Sequence, residues 1–162
     1  VTTRQRPPTT PITMAFRGTY DYTLDSKNRL TVPAKFRAEL AGGGVLAKGF
    51  DGCVALWTPE AYEASIAATA KDFHPGSVEA RKLRRWFAAN SQDVELDAAG
   101  RVGIPTFLLE HAALQKDVVV TGAEDCMEIW DRDAWAAYNT ELGPDIDDIT
   151  ALLGGGPRET GA

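Results

Sequence analysis

The sequence predicts an α+β fold, mainly β, in which one half of a β-barrel occurs twice and helices follow each copy. Two observations lead to this prediction. Residues 24–33 (LDSKNRLTVP) align with residues 96–105 (LDAAGRVGIP), and residues 49–57 (GFDGCVALW) align with residues 122–130 (GAEDCMEIW). Within the copies, apolar and polar residues alternate as in strands with one buried face. Similarity at a nearly constant offset indicates two equivalent structural units.

Each copy begins with a strand, a tight turn and a second, shorter strand. The first strand is indicated by alternating apolar residues, Tyr20, Tyr22 and Leu24 in copy one and Val94 and Leu96 in copy two. The strand after the turn is predicted over residues 29–32 and residues 101–104.

The rest of each copy is predicted to contain a short helix, two strands and a longer helix. A proline opens the short helix, PAKFRAEL or PTFLLEHAAL, where its missing N–H costs nothing. Thr58 and Asp131 are suited to cap the longer helices. The strands are predicted over residues 45–48, 54–57, 118–121 and 126–130.

Further segments lie outside the repeated pattern. A helix capped by Ser77 carries the basic cluster RKLRR at residues 81–85, and Pro144 indicates the start of a short terminal helix. The cluster could be a second DNA contact, but we favour solvent or an acidic surface of a neighbouring subunit. We therefore expect five segments: a disordered extension (1–13), repeat 1 (14–76), a linking helix (77–90), repeat 2 (91–142), and a C-terminal helix with a disordered tail (143–162).

The charge of the chain is unevenly distributed. The formal net charge is −6, which by itself argues against a nucleic-acid partner. However, residues 16–50 contain six basic and three acidic side chains, whereas residues 110–162 contain three basic and twelve acidic ones. A basic segment segregated in this way is compatible with DNA binding.

The sequence favours neither an enzyme nor a metal or cofactor protein, and it predicts no membrane segment. It contains two histidines, no phosphate-binding loop and no dinucleotide motif. Cys53 and Cys126 are too far apart for a zinc pattern and are interpreted as small buried side chains. Asp145, Asp147 and Asp148 lack the glycine and glutamate of a calcium loop and are interpreted as a solvated acidic face.

The pattern Asp-x-x-x-Arg at the strand–turn–strand junction is the candidate functional feature. Asp25 in copy one, and Asp97 in copy two, can accept backbone N–H groups of the turn. Asn28 and Gly100 occupy the position that requires a left-handed backbone. Asp25, Asp97 and Gly100 are therefore predicted to structure the turns.

The arginines that end this pattern have two interpretations. Each pairs with its aspartate to fix the turn, or is held rigid to meet a phosphate or a guanine edge. We favour the DNA role for Arg29, which has basic and polar neighbours, and the structural role for Arg101. The candidate DNA-binding residues are Arg17, Lys27, Asn28, Arg29 and Arg101.

The segments FRGTYDYTLDSKNRLTVPAKFR and SQDVELDAAGRVGIP resemble the MraZ family of bacterial regulators and, more broadly, the AbrB-like swapped-hairpin barrels. The match covers roughly residues 14–142. The resemblance implies a pseudo-dimeric barrel formed by one chain and a DNA-facing role for Arg29. It also implies ring-like homo-oligomers that bind direct repeats in the promoter of a division and cell-wall gene cluster. Asn28 stands where the family commonly has glycine.

The function predicted from these observations is transcription regulation. A single turn with a few basic groups binds weakly, and several identical turns on one oligomer would add affinity. We expect double-stranded promoter DNA as partner and a cytoplasmic, nucleoid-associated location. Two alternatives stay open: a protein-interaction module that assembles without DNA, and an antitoxin-like regulator of the same superfamily.

Overall fold

The computed structural model describes residues 15–154 of the chain, so the predicted disordered extension (1–13) and residues 155–162 of the predicted tail lie outside the described residues. This part of the chain is 44% helical and 27% strand, a mixed α+β fold. Its strands and α-helices are, in chain order, β1 (Thr19–Thr23), β2 (Arg29–Thr31), β3 (Gly44–Lys48), β4 (Val54–Trp57), α1 (Pro59–Ala70), α2 (Val78–Ala89), β5 (Ser91–Val94), β6 (Arg101–Gly103), α3 (Thr106–His111), β7 (Asp117–Gly122), β8 (Cys126–Asp131) and α4 (Arg132–Gly154).

The strands form an antiparallel six-stranded sheet in the order β1-β7-β8-β4-β3-β5 and a two-stranded ribbon of β2 and β6. The two copies exchange their first strands. β1 of copy one pairs with β7 of copy two, with Tyr20 opposite Val120. β5 of copy two pairs with β3 of copy one, with Leu46 opposite Gln92. Each copy therefore completes the sheet of the other.

One hydrophobic core joins the sheet, the ribbon and the short helices. Leu30 and Val102 face each other across the ribbon and are both buried. Phe16 contacts Phe36 edge to face, with ring centroids 5.1 Å apart. The remaining buried members include Leu24, Val32, Leu40, Leu46, Val54, Leu56, Ile104, Leu108, Val118, Val120, Met127 and Ile129. Because both copies contribute to this core, the alternation seen in the sequence is explained by one shared interior.

The predicted caps of the longer helices are confirmed. A side-chain oxygen at each cap accepts a hydrogen bond from a backbone N–H in the first turn of the helix, which satisfies a group that has no partner within the helix. The pairs are Thr58 with Ala61, Ser77 with Ala80 and Asp131 with Ala134, each at 3.2 Å.

Two helix predictions need correction. The segment PAKFRAEL forms two short 3-10 helices, Ala34–Phe36 and Ala38–Leu40, instead of one helix like α3. The 3-10 winding buries both Phe36 and Leu40, and the glycine run that follows stops any continuation. The prediction of a separate terminal helix that begins at Pro144 is also wrong, because α4 continues through this residue. Pro144 removes one helical hydrogen bond, whereas a break would leave several N–H groups without partners.

No helix within residues 15–154 combines the length and the apolar character needed to cross a membrane.

Candidate functional site

The two Asp-x-x-x-Arg turns flank the β2–β6 ribbon, one at each end. The first, residues 25–29, connects β1 to β2, and the second, residues 97–101, connects β5 to β6. The ribbon is antiparallel and has only three residue pairs, with Arg29 opposite Gly103 and Thr31 opposite Arg101. Side chains from the two turns therefore meet across it.

In the first turn, one carboxylate organises both the backbone and the arginine. Oδ1 of Asp25 accepts hydrogen bonds from the backbone N–H groups of Lys27 and Arg29, both at 2.9 Å. Oδ2 accepts a hydrogen bond from Nε of Arg29 at 2.6 Å. Asn28 has a left-handed backbone, with φ of 55°, as predicted for this position. The arginine is thus held by the residue four positions before it.

The second turn repeats this arrangement. Oδ1 of Asp97 accepts from the backbone N–H of Ala99 at 3.0 Å and from that of Arg101 at 2.9 Å. Nε of Arg101 donates to Oδ2 of Asp97 at 2.8 Å. Gly100 has φ of 75°. In both turns an aspartate carboxylate accepts two backbone N–H groups, and a residue with positive φ precedes the arginine.

The two turns together form an ion cluster of Asp25, Arg29, Asp97 and Arg101. Nη1 of Arg29 lies 4.0 Å from Oδ2 of Asp97, and Nη1 of Arg101 lies 3.8 Å from Oδ2 of Asp25. The side chains are 30–36% exposed. Within residues 15–154, no protein group accepts a hydrogen bond from Nη2 of either arginine. The cluster therefore presents oriented donors at a partly exposed surface.

Both carboxylates of the cluster are stabilised in the ionised form. Backbone hydrogen bonds from Arg29 and Arg101 lower the pKa values of Asp25 and Asp97, respectively, and the arginine side chains lower them further. A lowered pKa in the folded state adds stability above the ordinary aspartate pKa of about 3.9. That contribution is lost as the pH falls through the lowered value.

The structure brings together most of the predicted DNA-binding residues but separates one of them. Lys27 and Asn28 are exposed in the first turn, beside the two arginines of the ion cluster. Arg17 lies at the opposite end of β1 and pairs with Glu124, with Nε 3.1 Å from Oε1. The five residues of β1 alone separate it from the turns by roughly 16 Å.

Arg37 is a basic residue at this site that our sequence analysis did not include. Its Nε donates to the backbone oxygen of Val32 at 2.9 Å. The guanidinium lies against Gly100, where an added Cβ would collide with Nε of Arg37. Arg37 therefore supplies a cation to the second turn, whose own neighbours are alanines. The signal in the sequence is Gly100 itself, since Asn28 shows that the left-handed backbone alone does not require glycine.

The cysteines have the buried positions that the sequence predicts. Cys53 donates from Sγ to the backbone oxygen of Phe50 at 3.2 Å. Burial is the main reason that the pKa values of both thiols are raised. The pKa of Cys126 is raised to about 12. Both groups are therefore neutral thiols at physiological pH. Among the described residues, no three histidine, cysteine or carboxylate side chains are grouped as metal ligands.

Comparisons with known proteins agree on one family. A family model described as "MraZ protein, putative antitoxin-like" matches residues 15–85 and 87–150. A protein of Ligilactobacillus salivarius is 42% identical over 83% of this chain and 93% of its own length. A protein of Heliobacterium modesticaldum is 36% identical over 85% of this chain and 96% of its own length. Both relatives are named "Transcriptional regulator MraZ".

Proposed function

The chain belongs to the MraZ family, and on that premise we propose that it is a DNA-binding transcription regulator. Its relatives are named as transcriptional regulators, which favours a regulator over an enzyme. The proposal concerns the described fold as a whole, because the family model matches both copies.

The observation that carries the proposal is the ion cluster of Asp25, Arg29, Asp97 and Arg101. Nε of each arginine is bound to its aspartate, so the planar guanidinium is fixed before DNA arrives. A fixed guanidinium can donate to a phosphate or to the O6 and N7 atoms of guanine without a large loss of side-chain entropy. Lys27 adds an exposed cation at the edge of the ion cluster. In this proposal Arg29 makes the principal contact.

A homo-oligomer would compensate for the small size of the DNA-binding surface on one subunit. One subunit presents few cations, and the chain as a whole is acidic, so isolated turns bind weakly. A ring-like homo-oligomer that meets direct repeats would raise the effective concentration and add factors of about 10²–10⁴. We propose such repeats upstream of a division and cell-wall gene cluster, and a cytoplasmic protein associated with the nucleoid.

The proposed fold is a closed barrel of the swapped-hairpin, AbrB-like type. The exchange of β1 and β5 between the copies supports it, because each copy inserts its first hairpin beside the other. The β2–β6 ribbon would then close the gap between the two edges of the larger sheet. This closure would remove the unpaired edges of β1 and β5.

Fluorescence anisotropy with the DNA upstream of the protein's own operon tests the function. Fragments with one, two and three copies of the direct repeat are compared at several salt concentrations. We expect affinity to rise with repeat number and to fall steeply with salt, because phosphate contacts release counterions. Arg29→Ala should weaken binding by about 1–3 kcal/mol, the cost of one lost bidentate contact.

Two further variants serve as controls for that assay. Lys71→Ala removes an exposed cation at the end of α1 and should leave binding unchanged. Arg101→Ala should lower the stability to unfolding as well as, or instead of, the affinity. If the Arg29 and Arg101 variants both bind like the parent protein, the turns are not the DNA-reading element.

A second candidate is an antitoxin-like protein, which the description of the family model favours. In that case the principal partner is a protein, and a defined complex with the product of a neighbouring gene would be isolated on co-expression.

The anisotropy assay also distinguishes a pure interaction module. Such a module would assemble normally and show no saturable DNA binding at any salt concentration.

A further inference from the structure

The apolar side of α4 extends beyond the part of the helix that packs on the sheet. Near its start, Trp135 and Tyr138 contact Trp130 of β8, with ring centroids 5.5 Å and 4.8 Å away. At 100° per residue, Leu142 and Ile149 fall on the same side of the helix as these two aromatic residues. The side that packs on β8 therefore continues, without a change of phase, into the second half of α4.

That second half has large apolar side chains and nothing in the described chain covers them. Ile146 is 47% exposed, Ile149 52%, Leu152 78% and Leu153 84%. We call these four residues the distal face of α4. They lie on one side of the helix, at spacings of three and four residues. An exposed, contiguous set of aliphatic side chains marks an interaction surface on a soluble domain.

Acidic side chains border the distal face on one side. Glu141, Asp145 and Asp148 lie along one edge of the apolar stripe by helical spacing, and all three are exposed. No basic residue occurs between residues 133 and 154. A partner for this face must therefore combine apolar contact area with positive charge.

Helix α2 carries a surface with those properties. Val78, Lys82, Arg85 and Trp86 lie on one exposed side of α2 at helical spacing. Phe50, also exposed, stacks on Trp86 with ring centroids 6.4 Å apart and planes inclined by 13°. We call these five residues the α2 face. It offers aromatic area and two cations, which complement the aliphatic and acidic distal face of α4.

We propose that the distal face of α4 in one copy of the chain docks on the α2 face of a second copy. Both faces are exposed in the single chain, so neither covers the other within it. Because the two faces differ, the contact is heterologous and can repeat from copy to copy until a ring closes. The inference rests on the homo-oligomer proposed above and names the surfaces that form it.

Sedimentation without DNA tests this contact directly. Two double variants, Ile149→Asp with Leu153→Asp and Lys82→Glu with Arg85→Glu, should each weaken self-association by about tenfold or more. Asp145→Lys with Asp148→Lys should do the same. The charge-exchanged protein, with both Lys82→Glu/Arg85→Glu and Asp145→Lys/Asp148→Lys, should recover the parental mass. That recovery also shows that the separate variants had not simply unfolded.

Other outcomes overturn the inference. It fails if the parent protein is monomeric at every concentration, if the three variants keep the parental mass, or if the charge exchange does not restore association. Loss of association on deletion of residues 1–14, with the distal-face variants unaffected, would assign the contact to that segment instead. Arg29→Ala, measured in parallel, should keep the parental mass, so a failure of DNA binding is distinguished from a failure of this contact.

Discussion

At the scale of single residues, the same carboxylate geometry serves both turns, and the neighbours make them differ. Asp25 and Asp97 each bind two backbone N–H groups and one guanidinium at nearly equal distances. The pairing of aspartate and arginine that the sequence suggested is therefore confirmed in both copies. It does not compete with a DNA role, because Nη2 of each arginine donates to no protein group within residues 15–154. The DNA role itself stays a prediction.

The left-handed positions of the two turns should tolerate substitution differently. Gly100→Ala combines the cost of a left-handed alanine with a collision against Arg37, and should lower the free energy of unfolding by about 2 kcal/mol or more. Asn28→Ala has only the cost of a left-handed alanine, so we expect it to lower the free energy of unfolding by about 1 kcal/mol. Denaturant titration of both variants measures the difference.

Arg37 provides the control for this comparison. Adding Arg37→Ala to Gly100→Ala should recover part of the lost stability, because it removes the group that the new methyl meets. Asn28→Gly should be close to neutral. If Gly100→Ala costs no more than Asn28→Ala, Arg37 does not occupy that space in solution.

At the scale of elements, local chemistry in the sequence predicts most boundaries, whereas partners distant in the chain are not predictable. Cap residues and alternation placed α1, α2 and most strands correctly, because these signals lie within a few residues of each element. The exchange of β1 and β5 was not evident from alternation. The alternation of β1 and β5 is compatible with pairing inside their own copy and with pairing to the other copy. The local pattern therefore does not distinguish the two pairings. Arg37 was missed for a related reason, since 63 positions separate it from Gly100.

The continuity of α4 through Pro144 leads to a prediction about local order. Pro144→Ala would restore an N–H donor to the oxygen of Thr140 and remove a steric conflict with it, together worth up to about 3 kcal/mol. The distal half has few contacts with the rest of the chain, so this gain is local. We expect slower amide exchange in residues 145–150 and an unchanged midpoint of global unfolding.

The opposite change in the same segment is the matched control. Ala151→Gly should speed exchange there, because glycine costs about 1 kcal/mol relative to alanine inside a helix. Equal exchange rates in both variants would show that the segment is not helical in solution.

At the scale of the whole molecule, the exchanged strands make the two copies one folding unit despite their repeated sequence. Repeat 1 alone contains β3 and β4 but lacks β5 and β7, which are the partners of β3 and β1. Its core would also lose Val102, Val118 and Ile129. Neither copy has a complete interior by itself.

Separated halves of the chain should therefore fold only together. We expect residues 15–76 and residues 77–154, expressed individually, to show no cooperative thermal unfolding as monomers. An equimolar mixture should give a one-to-one complex with the far-ultraviolet circular dichroism of the intact chain, because the strand partners are then supplied in trans. A cooperative transition in either isolated monomer would contradict the shared core.

The ion cluster has a consequence for how such a regulator searches a chromosome. Two carboxylates cancel the charge of two guanidinium groups, and the chain carries a net charge of −6. Beyond about 8 Å, the screening distance in physiological salt, this surface attracts DNA only weakly. On the proposed function, random sequence would thus retain the protein only briefly. Long residence would arise where consecutive sites match the spacing of several subunits, so the arrangement of sites, more than coulombic attraction, would decide where it stays.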